Sequence, residues 1–276
     1  MIRISKETDE RREAGPLECW CLHGAVGMAS DWRDLASRFA KSGISTRAVD
    51  LWRFLEEGPF SLTDFGKALN ADAGADVFRG TGRALLGYSM GGRLALHALL
   101  EKNHLWQSAV IVSAHPGLET ETECAARRAA DGSWATRSLT ESWASFLTAW
   151  NAQEIFKCSD VRIEDVGKMP TLLERRDPAA SAQLATRRRE IAQSFVNWSL
   201  AAQESLWERL GEISIPVLWV AGENDAKFLE LAQRVVPLMP KAYLAIAPGS
   251  GHRVPWESPE WFAQAVTHFL RTGGSP

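Results

Sequence analysis

Three residues of this 276-residue chain have the types and the order that serine-based acid–base or nucleophilic chemistry requires. Ser89 stands in Gly87-Tyr88-Ser89-Met90-Gly91-Gly92, after the apolar run Arg83-Ala84-Leu85-Leu86 and before Arg93-Leu94-Ala95-Leu96-His97-Ala98-Leu99. The pattern predicts a strand, a sharp turn and a helix, with the serine at the apex. Glycine at 87 and 91 is what such a turn demands, because a Cβ two positions from the apex would collide with the crossing strand and helix. A serine hydroxyl is a poor base and a poor nucleophile near neutral pH, so it needs a histidine, and the histidine needs an orienting carboxylate. Asp225 and His252 follow in that order, within Ala221-Gly222-Glu223-Asn224-Asp225 and Pro248-Gly249-Ser250-Gly251-His252. Both are expected in loops at the carboxyl ends of strands, where the serine also lies. Glu223 is a rival carboxylate. His97, His104 and His268 fall in or beside helices and read as surface or packing residues.

Two backbone amides are expected to face the serine hydroxyl. The N–H of Met90 opens the helix after the turn, and His23-Gly24-Ala25 ends the first strong strand, which places a second donor at Ala25. One such donor, aimed at charge that develops in a transition state, is typically worth ~10²–10³ in rate. The ring of His23 is expected to brace its loop and take no proton. The serine turn resembles the nucleophile elbow of the α/β-hydrolase fold, and with the downstream acid and histidine it makes that fold the expectation.

The elements that must position these residues alternate. Strands are predicted at Leu17–Leu22, Thr46–Val49, the elbow run, Ser108–Ser113, Ile215–Gly222 and Tyr243–Ile246. Helices are predicted from Asp31 to Lys41, from Thr63 to Ala71, after the elbow, from about Lys227, and from Ser258-Pro259-Glu260, with serine as N-cap and proline at N1. Such alternation implies a mostly parallel sheet with helices on both faces. From Pro116 to Leu210 the pattern is helical throughout and carries five tryptophans (Trp134, Trp143, Trp150, Trp198, Trp207). That divides the chain into a first core segment (1–115), a helical cap (116–210) over the carboxyl edge of the sheet, and a second core segment (211–276). Thr272–Pro276 reads as a loose tail.

Composition bounds the function. With 45% hydrophobic and 24% charged residues the chain is globular, and no apolar run is long enough to span a membrane. Its charged start lacks the apolar stretch of a secretory signal, so a reducing cytoplasm is the expected location. Cys19, Cys21, Cys124 and Cys158 form no CxxC pair and have no metal-ligand spacing, and neither metal nor cofactor is implied. A net charge of −3 and the lack of a basic stripe with interleaved aromatics argue against a nucleic-acid partner. A small molecule is the expected partner, and the oligomeric state is open.

Between Pro116 and Leu210 ten arginines stand against two lysines, while fourteen acidic residues keep the segment net negative. It is therefore no polyanion surface, but the arginine bias suits bidentate recognition of carboxylates. Arg187-Arg188-Arg189 reads as a solvated or ion-paired helix face. Arg93, four residues past the serine, is left undecided by composition.

With Leu22-His23-Gly24, Asp31-Trp32, the elbow through Leu96, His115-Pro116-Gly117-Leu118, Ala125-Ala126-Arg127-Arg128-Ala129-Ala130-Asp131, Ala221–Phe228 and Gly251-His252, the chain resembles the 2-succinyl-6-hydroxy-2,4-cyclohexadiene-1-carboxylate synthase family of menaquinone biosynthesis. The resemblance spans nearly the whole chain. It implies a lyase whose Ser89, primed by His252 and Asp225, abstracts a ring proton, after which pyruvate leaves. The amides of Ala25 and Met90 would hold the developing charge. Arg93, Arg127 and Arg176 match family positions that bind substrate carboxylates, with Arg175 a rival for Arg176, and Tyr88, Trp150 and Lys227 would line the pocket. The chain departs from the family pattern at Ala25, where an aromatic is usual, at Asn151, where tyrosine is common, and in the loop Asp50-Leu51-Trp52-Arg53-Phe54. A serine hydrolase acting on a carboxylated ester or carbon–carbon bond, and a ligand receptor without turnover, are the competing expectations.

Overall fold

The computed structural model describes residues 17–57, 60–76, 80, 82–157 and 178–274. Six strands, β1 (Leu17–Leu22), β2 (Ile44–Val49), β3 (Gly82–Tyr88), β4 (Ser108–Val112), β5 (Val217–Gly222) and β6 (Ala242–Ala247), form one sheet in the order β2-β1-β3-β4-β5-β6. Every pairing is parallel. Parallel neighbours need crossovers, and helices supply them. Among the described residues the helices are α1 (Arg33–Ala40), α2 (Leu62–Ala75), α3 (Met90–Leu100), α4 (Glu121–Thr140), α5 (Trp143–Asn151), α6 (Pro178–Ala185), α7 (Arg188–Asn197), α8 (Ala226–Val235), α9 (Val254–Glu257) and α10 (Pro259–Thr272), the last two of which follow β6.

Successive strand residues point to opposite faces, so the sheet splits its side chains between two cores. Trp20, Leu22, Leu85, Ile111, Trp219 and Ala221 pack with α2, α3 and α8 on one face. Cys19, Cys21, Leu86, Val112 and Val220 pack with α1 and α10 on the other. Cys19 and Cys21 therefore share a face as buried core residues, their sulfurs 3.9 Å apart.

Between β4 and β5 the described residues contain helices and no strand. Local capping starts the helices that reach the serine. Thr120 Oγ1 accepts from Glu123 N (3.2 Å) while Glu123 Oε2 accepts from Thr120 N (3.0 Å), the reciprocal box that opens α4. Ser142 Oγ accepts from Ser145 N and opens α5. Within the arginine run, Arg187 ties this insertion to the core by ion pairs. Arg187 meets Asp50, Glu56 and Glu190, and Arg188 donates to the Glu141 carbonyl and stacks on Trp143.

Three local expectations are corrected. The predicted Ser108–Ser113 strand stops at Val112, because Ser113 turns to φ +47°. Ser258 does precede α10, but its hydroxyl bonds Ser250 Oγ (2.7 Å) instead of capping the helix. Thr272 belongs to α10, which Gly273 closes in a left-handed conformation at φ +68°.

Candidate active site

β3 runs into α3 through Ser89, whose φ of 52° and ψ of −111° lie where non-glycine residues rarely go. The turn is over-determined. Ser89 N donates to the Val112 carbonyl (2.8 Å), and the Ser89 carbonyl accepts from Arg93 N (3.1 Å). A Cβ at Gly87 would strike the carbonyl of Gly91, and one at Gly91 the carbonyl of Leu22. One strand over, Ser113 also holds a positive φ. Such backbones cost about 1–3 kcal/mol each and persist only where the surrounding structure enforces them.

His252 brings its Nε2 to 3.2 Å from Ser89 Oγ, and its Nδ1 donates to Asp225 Oδ2 over 2.7 Å. An ionised carboxylate only accepts, so the Nδ1 proton points to Asp225 and leaves Nε2 free to accept from the serine hydroxyl. Both partners are buried, His252 against the rings of Phe228 (4.5 Å) and Tyr88 (5.6 Å). Glu223, the rival carboxylate, is exposed and accepts from Gly249 N (2.8 Å). Asp225 is therefore the acid that reaches the histidine. The arrangement can withdraw the Ser89 proton toward Nε2 while Asp225 stabilises the resulting imidazolium.

Two adjoining cavities, of about 30 and 190 Å³, share Ala25, Ser89, Trp150 and Phe156 as walls. Met90 lines the larger, so the residues of both expected amide donors border the space at Ser89. His23 lies behind this wall as a brace. Its Nδ1 donates to the Gly24 carbonyl (2.9 Å), and its Nε2 accepts from Leu51 N (3.4 Å).

The larger cavity is electropositive. Arg93 from α3 and Arg127 from α4 both line it. Arg93 is buried, and its guanidinium donates to Gln203 Oε1 (3.1 Å) and the Trp198 carbonyl (2.6 Å). Among the described residues no carboxylate pairs with it. Burial, and secondarily the charge of Arg127, pull its pKa down to about 9. Arg127 is anchored by Asp131, whose Oδ2 accepts from Arg127 Nε (2.8 Å) and from Ser199 Oγ (2.7 Å). His115 lines the same cavity, and burial followed by the charges of Lys227, Arg93 and Arg127 lowers its pKa to about 4. A buried cation with only neutral acceptors is a seat for an anion.

The smaller cavity holds Tyr88 and Arg253. Tyr88 is buried edge-on to Trp256 (4.8 Å), and burial pushes its phenol pKa up. Arg253 donates to Asn151 Oδ1 (2.6 Å) and lies 3.7 Å from the Phe156 ring centroid.

Of the residues expected from sequence, Ser89, His252, Asp225, Ala25, Met90, Tyr88, Trp150, Arg93 and Arg127 converge here. Lys227 is exposed and lines neither cavity, although its charge reaches His115. Arg176 and its rival Arg175 lie outside the described residues. Sequence reasoning gave no role to Asp131, Ser199, Gln203, Arg253 or Ser113. Asp131 was findable as the i+4 partner of Arg127 on one helix. The others carry no local signal. Among the described residues no group of three His, Cys, Asp or Glu is placed to hold a metal ion, and no helix is long and apolar enough to cross a membrane.

A family model described as the alpha/beta hydrolase family matches residues 21–265. The 2-succinyl-6-hydroxy-2,4-cyclohexadiene-1-carboxylate synthase of Pectobacterium atrosepticum is 29% identical over 260 residues, covering 92% of this chain and 95% of that protein. The protein of the same name from Serratia proteamaculans is 29% identical over 257 residues, covering 92% of each. Among solved structures, MenH from S. aureus has a TM-score of 0.77 at 21% identity, covering 95% of both chains. An esterase from Exiguobacterium antarcticum has a TM-score of 0.72 at 18% identity, covering 94% of this chain and 93% of its own.

Proposed function

The chain belongs to the alpha/beta hydrolase family, and from that premise we propose that it is a lyase of menaquinone biosynthesis. It eliminates pyruvate from 2-succinyl-5-enolpyruvyl-6-hydroxy-3-cyclohexene-1-carboxylate to give 2-succinyl-6-hydroxy-2,4-cyclohexadiene-1-carboxylate. The names and coverage of the relatives support this substrate. The observation that carries the carboxylated substrate is the presence of Arg93 and Arg127 together in the cavity at Ser89, because a neutral ester has no use for two arginines there.

In the reaction His252 Nε2 accepts the Ser89 proton, with Asp225 holding the ring in the required tautomer. Ser89 Oγ then takes the acidic ring proton. The C–H electron pair becomes a new ring double bond, and the existing ring double bond shifts to the carbon bearing the enolpyruvyl group. The bond from that carbon to oxygen breaks, and the departing enolate takes the proton held on His252 to become pyruvate. The N–H groups of Ala25 and Met90 stabilise the negative charge on the substrate, and Arg93 and Arg127 hold its retained carboxylates. Trp150 and Tyr88 form walls of the site.

The test is pyruvate release from the substrate, generated in situ by the preceding enzyme, with a p-nitrophenyl ester run in parallel. The substrate also loses pyruvate spontaneously, so Ser89→Ala is the reference. Fast release that the variant lacks, with little ester cleavage, is expected. Clear ester turnover with no enhanced pyruvate release would replace the lyase by a serine hydrolase.

A further inference from the structure

Ser113 combines three properties that no packing role explains. It is fully buried, its hydroxyl has no hydrogen-bond partner among the described residues, and its backbone holds φ +47°. It also lines the larger cavity together with Ser89, Arg93 and Arg127. Its position follows from the sheet. Tyr88 on β3 pairs with Val112 on β4, so Ser89 and Ser113 are the residues that directly follow the ends of two adjacent parallel strands. Ser113 N donates to the Val220 carbonyl (2.9 Å), which pins the turned backbone to β5.

Glycine would meet the same backbone without strain, and alanine would fill the same space without an orphaned hydroxyl. Serine is the worse choice for stability on both counts unless its hydroxyl gains a partner from outside the chain. The surroundings define that partner. Arg93 and Arg127 face the cavity with positive charge, Asp131 is engaged by Arg127 and Ser199, and His115 is held neutral. A hydroxyl on a residue that lines the same cavity as two guanidinium groups adds a third donor type to a site for a carboxylate.

We propose that Ser113 is a substrate-binding residue whose hydroxyl donates to the ligand carboxylate held by Arg93 and Arg127. This deepens the reading of a carboxylated substrate and rests on it. It assigns the larger cavity as the seat of an acidic arm, with the reacting carbon turned toward Ser89.

The test compares wild type, Ser113→Gly and Ser113→Ala, with succinate as the binding probe and calorimetry as the readout. A hydrogen bond to a charged group predicts about tenfold weaker succinate binding in both variants. Their melting temperatures should diverge. Ser113→Gly relieves the strained φ and rises, whereas Ser113→Ala keeps the strain and stays below it. A merely structural serine would give affinities that track stability. Equal succinate affinity in all three proteins overturns the inference while leaving the elimination untouched. Wild type that binds no succinate also overturns it. Pyruvate release on the same preparations then shows whether the elimination falls too.

Discussion

Gln203 holds Arg93 in place: its Oε1 accepts from the guanidinium over 3.1 Å, and its Nε2 donates to the His115 carbonyl over 3.2 Å. The bridge joins α3, the loop after β4 and the segment after α7. Together with the Trp198 carbonyl it sets the direction of a buried cation. Arg93→Ala and Arg127→Ala are each expected to lower kcat/KM for pyruvate release by ~10–100-fold with the fold intact, since each removes a charge-assisted bond to a carboxylate. Gln203→Leu should raise KM several-fold with a smaller change in kcat. Steady-state kinetics with circular dichroism as the folding control decide this, and near-normal turnover of both arginine variants would remove the carboxylate role.

Asp225 and Glu223 are two residues apart, yet only Asp225 reaches His252. Asp225→Asn should cost ~10³–10⁴ in kcat by stabilising the wrong histidine tautomer. Glu223→Gln should stay close to wild type in the same assay. The reverse ranking would identify the wrong acid.

His97 is buried, its Nε2 has no partner among the described residues, and burial followed by the charges of Arg93 and Arg209 lowers its pKa from 6.5 to about 4. The folded state therefore keeps it neutral where the unfolded chain already binds a proton. Its contribution is fully present above pH 6.5 and is lost as pH falls toward 4. Urea unfolding of wild type should weaken across that window, and His97→Leu should recover on the order of 2–3 kcal/mol of the difference. Parallel acid profiles for the two proteins would contradict this.

Gly91 has no room for a side chain, because a Cβ would meet the carbonyls of Leu22 and His23 from the neighbouring strand. Gly91→Ala should lower stability by several kcal/mol, read as a melting temperature at least ten degrees lower or as insoluble protein. Retained stability would mean that β1 and α3 can separate more easily than their contact implies.

Much of this architecture was legible because its signals are local. Apolar runs bounded by turn residues marked all six strands, each to within a few residues, and Gly87-Tyr88-Ser89-Met90-Gly91 marked the turn between β3 and α3. Order along the chain put Asp225 first and left Glu223 as a rival. Both stand in one loop after β5, and what distinguishes them is which side of that loop His252 occupies. Ser113 was hidden for a related reason. A serine closing an apolar strand looks like its natural end, and nothing in Ala109-Val110-Ile111-Val112-Ser113 signals a positive φ or an unpaired hydroxyl.

Order and spacing along the chain determined the alternating parallel fold, the strained serine turn, the candidate acid and histidine, and the arginines worth testing. Those properties depend on near neighbours and on steric rules that act over a few residues. Tertiary structure alone decided which groups share a cavity and what each of them bonds. Arg93 meets Gln203 across 110 positions, and His252 meets Ser89 across 163. The first contact depends on how the segment between β4 and β5 packs over the sheet, and the second on the sheet geometry that brings the loop after β6 to the end of β3. Such packing is summed over the whole core, so no short segment encodes it.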